Sequence, residues 1–276
     1  MAINYAQKYS DVVAEAFRLQ SKTADIAGGR YDFIGVKTVA IYQGQTVALG
    51  DYTIAGSDRF GTLSELELPK QEMTLTQDKA FTFVIDRMNY EGTNFANEVG
   101  ARLRDEIDQV VIPALDAYRL KAMASATGIT SATDTAPTKA NAYELFLNAS
   151  STLDENKVPA VGRIAFVTPD YLKLLKQDSS FILQSDRSME MLQKGIVGTC
   201  DGVEVRMLPA SYFPANKYLI MAHRDAIVAP VKLTTYRILD DVQGIDGSVA
   251  EGRVVHDCFV LSNRAKAIYV QGKAAG

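Results

Sequence analysis

The sequence predicts an α+β fold, and three observations carry the prediction. Along residues 93–126 apolar side chains recur at Phe95, Val99, Leu103, Ile107, Val110/Val111, Ala114, Tyr118 and Ala122, the three-and-four spacing of one buried stripe on an α-helix. Ahead of this helix, residues 31–86 change to a period of two, the mark of strands with one covered face. Behind it, a mixed stretch of short strands, a helix and prolines precedes a last group of alternating strands. Those last strands can lie beside the long helix only if the domain is discontinuous, with residues 140–230 inserted.

Residues 1–30 read as an arm. Val12, Val13, Ala16, Phe17 and Leu19 make one short apolar face before Ala27-Gly28-Gly29 breaks the pattern. A terminal segment this small cannot bury that face on itself, so it must lie on the rest of the chain or on a neighbour. Residues 31–86 read as an extended β loop. FIGVKTVAIY sets Val36, Ala40 and Tyr42 against Lys37, Val39 and Ile41; TVALGDYTI follows a turn at Gln43-Gly44-Gln45, and AGSDRFG is a flexible connection. LSELELPK then alternates Leu66 and Leu68 with Glu65 and Glu67, and AFTFVID places Phe81, Phe83 and Ile85 on one face. A two-stranded ribbon is marginal alone in water, so it too calls for a partner surface.

The helix over 93–126 has Thr93 or Asn94 to cap its start and Gly128 just beyond its end. Glu98 and Arg102, and Arg104 and Asp108, stand four apart, where opposite charges meet. At 1.5 Å per residue the run would reach about 50 Å. Pro113 should bend it, because the proline ring displaces the carbonyl four residues back. After the polar GITSATDTAPTK, Tyr143, Leu145, Phe146 and Leu153 are helically spaced up to Val158-Pro159. RIAFVTPDYLKLLKQ is a clear strand–helix unit: Ile164, Phe166 and Val167 for the strand, Thr168 as cap, Pro169 at the first helical position, and Leu172, Leu174 and Leu175 as the buried stripe. QDSSFILQSDRSMEMLQKG reads as an exposed excursion. GVEVRMLP, KYLIMAH and AIVAPV are short strands, and KLTTYRILD and RVVHDCFVLSNRAKAIYV return to alternation around a glycine-rich loop, 243–252.

The totals narrow the class. A composition of 47% hydrophobic and 22% charged residues over 276 positions is that of a folded chain. A net charge of −4 gives no overall basic footprint for nucleic acid. Cys200 and Cys258 make no disulfide framework and read as free buried thiols. MAINYAQKYSDVV lacks the apolar core of a signal peptide, and no apolar run approaches the roughly 20 residues that span a bilayer. The expectation is a soluble chain made inside the cell, without a membrane partner. Asn148-Ala149-Ser150 matches a glycosylation sequon, which means little without secretion.

The order of arm, β loop, long helix, inserted α/β region and returning strands resembles the major capsid protein of tailed bacteriophages, the Hong Kong-97-type fold. The stretches that carry the resemblance are DRMNYEGTNFANEVGARLRDEID, RIAFVTPDYLKLLKQ, GTCDGVEVRMLP with KYLIMAHRDAIVAP, and RVVHDCFVLSNRAKAIYV. It implies an N-terminal arm (1–30), an extended β loop (31–86), a peripheral domain (87–159 and 231–276) with a spine helix (93–126), and an axial domain (160–230). It further implies a virion subunit, made in the bacterial host, that forms hexamers and pentamers in an icosahedral shell around double-stranded DNA contacted non-specifically. A separate scaffolding protein is an implied partner, because the chain has no room for a long N-terminal assembly domain; a portal protein is another. Neither an enzymatic role nor a cofactor is implied. Phe17, Leu19, Leu66, Leu68 and Lys70 are the expected inter-subunit contacts. An encapsulin-like nanocompartment shell is the alternative with the same fold, and a cytosolic α/β enzyme using His223 or His256 the alternative of another class. Lysine–asparagine crosslinking, known in some relatives, is not carried over: Lys70 lies in the ribbon, but no matching Asn and Glu can be assigned.

The chemical motifs point the same way. Cys200, His223, His256 and Cys258 could supply a zinc set, yet only His256 and Cys258 are closely spaced, and no CxxC or HxxxH pair is present. There is no GxxxxGK[ST], no GxGxxG after a strand and no GxSxG. Asp240, Asp241 and Asp246 near Gly244 and Gly247 lack the alternation of a calcium loop and read as a solvated turn. Glu98, Asp105, Glu106 and Asp108 read as the wet side of a helix. Arg102, Arg104, Arg119 and Lys121 are mixed with acids; salt pairing at the surface is the plain reading, and non-specific phosphate contact the functional one.

Overall fold

The computed structural model describes residues 21–27, 32–34, 38–42, 44, 47, 49–54, 59–61, 65, 70–86, 103–132, 135–177, 196–240 and 242–273. They belong to two units, Arg30–Leu75 and the remainder of the chain.

In the smaller unit, β1 (Asp32–Ile34), β2 (Thr38–Tyr42) and β3 (Lys70–Thr74) form an antiparallel sheet in that order. Val39 sits opposite both Phe33 and Met73, and Val39, Ala40 and Met73 are buried. The strand expected in TVALGDYTI is not formed at the described positions 47 and 49–54. A backbone bond from Thr53 N to Arg59 O (3.1 Å) closes a loop there, with Tyr52 and Phe60 packed edge to face at 5.0 Å. Alternation is a request for a neighbouring strand, and without one the segment stays irregular.

The larger unit is built on two sheets. In the six-stranded sheet the order is β5 (Thr130–Ala132), β14 (Ile268–Gly272), β9 (Lys217–His223), β6 (Arg163–Val167), β8 (Val203–Met207), β7 (Ile196–Cys200). β6 is buried at every position. Its even residues, Ile164 and Phe166, join the core beneath Leu120 and Met123. Ala165 and Val167 face the opposite core, filled by helix α2 (Ala142–Glu155) and helix α3 (Pro169–Gln177). Layers on both faces explain why RIAFV reads as an unbroken apolar run. Thr168 accepts from Tyr171 N at the start of α3, and Leu172 and Leu175 are buried as the spacing predicts. Helix α2 and strand β14, which the implied division puts with 87–159 and 231–276, pack here with the strands of 160–230.

The second sheet orders β11 (Val231–Asp240), β12 (Gly247–His256) and β4 (Gln77–Asp86), all antiparallel. β4, read in the sequence as part of the 31–86 loop, thus pairs along its whole length with β12. Phe81, Gly252 and Tyr236 stand in one cross-strand row. A Cβ on Gly252 would lie 2.4 Å from the Phe81 ring and 2.7 Å from that of Tyr236, so only glycine fits between them. The short pair β10 (Ile227–Val228) and β13 (Phe259–Val260) links the end of one sheet to the other.

Helix α1 is helical from 103 to 125, with a π turn at Ile107–Val111 followed by Ile112–Ser125. Its start, including the caps Thr93 and Asn94 and the Glu98–Arg102 pair, lies outside the described residues. Ile112 N–H bonds back five residues to Ile107 O. Pro113 is met by this wider turn, which relieves the clash of the ring with the preceding turn. The extra residue also shifts the buried stripe. Leu103 and Ile107 are buried as expected, but beyond the turn the buried positions are Ile112, Leu115, Leu120 and Met123, and Ala114 is exposed. Arg104 is exposed while Asp108 Oδ1 is buried without a hydrogen-bond partner, so the expected pair does not form.

Candidate assembly surfaces and the buried anchor

The unit Arg30–Leu75 carries an unusual surface. Between β2 and β3, Ile54 is 84% and Phe60 91% exposed, Leu49 is fully exposed, and Val47 and Tyr52, like Tyr42 at the end of β2, are more than half so. Lone exposed apolar residues are ordinary, but five large ones in one loop are not. Of the expected contact residues, Lys70 opens β3 opposite Tyr42, with its ammonium 2.5 Å from Glu72. That hydrogen bond holds the ammonium above its usual pKa. Phe17, Leu19, Leu66 and Leu68 lie outside the described residues.

The described end of the arm, 21–27, is held by its own chain. Asp116 on α1 is 2% exposed and accepts from Ser21 Oγ (2.6 Å), Thr23 Oγ1 (2.5 Å) and Lys22 N (3.2 Å). Arg119, one turn on and 4% exposed, donates to Ser21 Oγ (3.2 Å) and Thr23 Oγ1 (2.9 Å) and stands 3.7 Å from Asp116. Arg206 on β8, paired with Glu204 at 2.6 Å, donates to Lys22 O at 2.5 Å. Ile26 then enters the core with Leu120 and Met123. Every charge in the cluster has a counter-charge or a hydrogen bond, as burial requires. Arg119, offered by the sequence to phosphate, is thereby taken out of contact with solvent; Arg104 and Lys121 are exposed, and Arg102 lies outside the described residues.

A second buried carboxylate ties the sheets to α1. Asp257 accepts from Thr76 N (2.8 Å), Thr76 Oγ1 (2.9 Å), Tyr118 Oη (2.7 Å) and Cys258 N (2.8 Å). Tyr118 meets His256 edge to face at 5.1 Å. Burial, aided by the Arg119 charge, lowers the His256 pKa to about 4. Sequence reading missed Asp116 and Asp257. The one signal available was the position of Asp116 and Arg119, one turn apart beside an apolar stripe.

The metal and nucleophile candidates are dispersed. Cys200 lies in the core against α2 and α3, Cys258 in the core on the other side of the six-stranded sheet. Burial pushes both thiols up to about 12. His223 Nε2 donates to Val161 O (2.9 Å), since a carbonyl only accepts, and its Nδ1 accepts from Asp225 N. Asp246 follows the turn closed by Ile245 N to Val242 O, with Gly244 at φ 85°. Among the described residues no three metal-ligating side chains converge, and no helix is long and apolar enough to cross a membrane.

No family model matches the chain, and no curated protein matches it significantly. Solved structures do. The capsid structure of the cyanophage P-SCSP1u aligns at a TM-score of 0.68 and 11% identity, over 93% of this chain and 89% of that one. A structure from Mycobacterium phage Che8 aligns at 0.59 and 20% identity, over 94% and 90%. The virus-like particle from Pyrococcus furiosus aligns at 0.58 and 11% identity, over 98% and 100%. The chain has the fold of bacteriophage capsid subunits, as its resemblance to tailed-phage major capsid proteins implied.

Proposed function

We propose that this chain is the major capsid protein of a tailed bacteriophage, a structural subunit that assembles into an icosahedral head and encloses double-stranded DNA. The observation that carries the proposal is the exposure of large apolar side chains between β2 and β3, led by Leu49, Ile54 and Phe60. Covering a side chain of that size contributes about 1.5–3 kcal/mol, and a neighbouring copy is the cover that the capsid fold suggests. Repeated around a closed shell, modest contacts of this kind sum to a stable container. In this reading residues 1–30 are the arm, 31–86 the extended loop, 87–159 and 231–276 the peripheral domain with its spine helix, and 160–230 the axial domain. The separate unit Arg30–Leu75 supports the loop assignment. Copies gather as hexamers and pentamers with a scaffolding protein and a portal protein, and the role is structural, not catalytic.

The test is assembly of the expressed chain, with and without scaffold, followed by electron microscopy. Wild type forms shells; Leu49→Asp/Ile54→Asp/Phe60→Asp leaves folded, unassembled subunits. A wild-type chain that stays monomeric under every condition, or a triple variant that assembles as wild type does, refutes the proposal. A second reading, a nanocompartment shell around protein cargo, is favoured by the near-complete mutual coverage with the Pyrococcus furiosus particle. Nucleic acid or protein inside shells purified from the native source separates the two.

A further inference from the structure

We propose that a row of cations along β8 and around one end of the six-stranded sheet binds the phosphodiester backbone of double-stranded DNA. The inference rests on the capsid reading and names where the enclosed polymer touches the subunit. The row begins on the arm. Lys22 Nζ donates to Met207 O at the end of β8 (3.4 Å), and Arg206 Nη1 donates to Lys22 O (2.5 Å). Arg206 Nε bonds Glu204 at 2.6 Å, and the other oxygen of Glu204 lies 3.7 Å from Arg224, just past β9. Arg264, in the turn before β14, donates to Asp225 O (3.1 Å) and stands 3.8 Å from Asp225 Oδ2. β6 runs parallel to β8 and antiparallel to β9, and β9 antiparallel to β14, so the start of β8, the end of β9 and the start of β14 share one end of the sheet.

Four cations share two carboxylates in this network, in a chain whose acids outnumber its basic residues by 33 to 29. Positive charge is concentrated here against the overall sign, which draws a polyanion to this face. The four are not equivalent. Arg206 is buried between Glu204 and the Lys22 carbonyl, so its part is to position Lys22. The side chains of Arg224 and Arg264 are 46% and 50% exposed, and their carboxylates, at 3.7 and 3.8 Å, stand beyond hydrogen-bond reach. A guanidinium carries five N–H donors in a planar fork that matches a phosphate, and half of each fork faces water here. A row, more than a pocket, suits a polymer whose charges repeat along its length. Asp225, the exposed acid of the network, opposes phosphate and keeps each contact weak; many copies around one shell act together on one DNA.

Fluorescence anisotropy of a labelled DNA duplex, titrated with the full-length, unassembled chain from about 50 to 200 mM salt, tests the site. Arg224→Gln/Arg264→Gln should weaken binding ~10-fold at the lowest salt and reduce the slope of log affinity against log salt by about 2; Lys22→Gln should reduce it by about 1. Arg237→Gln/Arg253→Gln, arginines of similar exposure on the three-stranded sheet, removes the same charge and should leave the slope unchanged. Wild type that binds no DNA, an unchanged slope in Arg224→Gln/Arg264→Gln, or an equal loss in Arg237→Gln/Arg253→Gln overturns the proposal. So does polyglutamate that displaces the duplex at equal charge, since the ligand is then an acidic protein segment. Shell formation by the same variants is scored separately by electron microscopy. Normal shells with no DNA affinity sink the site and leave the capsid reading standing; DNA binding through these arginines without shells supports the site and sinks that reading.

Discussion

Removing the Asp116 carboxylate should cost more than removing any exposed charge in this protein, and the structure says how much. In Asp116→Ala, Arg119 stays buried at 4% exposure without its counter-ion, and Ser21, Thr23 and the Lys22 amide lose their acceptor. Breaking a buried pair from one side costs about 3–5 kcal/mol, a large share of the roughly 5–15 kcal/mol that holds a domain folded. Asp116→Asn keeps an oxygen for the hydroxyls and loses only the charge, so about 1.5–3 kcal/mol is expected. Pairing Asp116→Leu with Arg119→Met removes both charges, and the double variant should be less damaged than Asp116→Ala. Urea denaturation of the unassembled chain reads these differences directly. Trypsin adds a local readout, because cleavage after Lys22 requires 21–27 to leave α1. Wild type should resist at Lys22, and Asp116→Ala should be cut there first. If Asp116→Ala lies within about 0.5 kcal/mol of wild type and Lys22 stays protected, the anchor carries no weight and the account fails.

Three further outcomes are expected. Gly252→Ala forces a Cβ to within 2.4 Å of Phe81 and should destabilise by about 1–3 kcal/mol; a large part should return in the Gly252→Ala/Phe81→Leu double variant, measured by thermal denaturation. His256 has a folded pKa of about 4 against an unfolded value near 6.5. The unfolded chain therefore binds the proton first, and stability present above pH 6.5 falls as pH drops towards 4, by an amount on the order of 3 kcal/mol; His256→Phe, which keeps a ring against Tyr118, should flatten that window in denaturation curves taken from pH 7 to 4. Cys200 and Cys258, with thiols pushed up to about 12, should resist aromatic disulfide reagents at pH 8 in the native protein and react only on unfolding; rapid labelling of either in the native state would contradict the burial.

Much of the architecture was legible because local pattern and tertiary demand agree. Thr168-Pro169 and the leucines behind them specify α3 by capping, fixed φ and spacing alone. AFTFVID and RVVHD read as strands because alternation needs only one covered face. The candidate surface was legible only in outline. Of the contacts expected on the ribbon, Leu66 and Leu68 lie outside the described residues, while Leu49, Ile54 and Phe60, which the sequence pattern does not single out, are the most exposed large apolar side chains described there. No periodicity marks the exposed apolar residues of an irregular loop.

From residue order alone came an α+β chain with a long helix, strands of period two ahead of it and no catalytic motif of recognised spacing. Those follow from near-neighbour chemistry: periodicity, caps, composition and missing spacings. Which way the helix faces, by contrast, turned on the π turn before Pro113, which moves the buried stripe from Ala114 to Leu115. Likewise Arg119 became an interior residue and not a surface cation only because Ser21, Thr23 and Asp116, far apart along the chain, converge on it. Burial of a charge depends on what arrives from elsewhere, and distance in space is the one quantity a linear string does not hold.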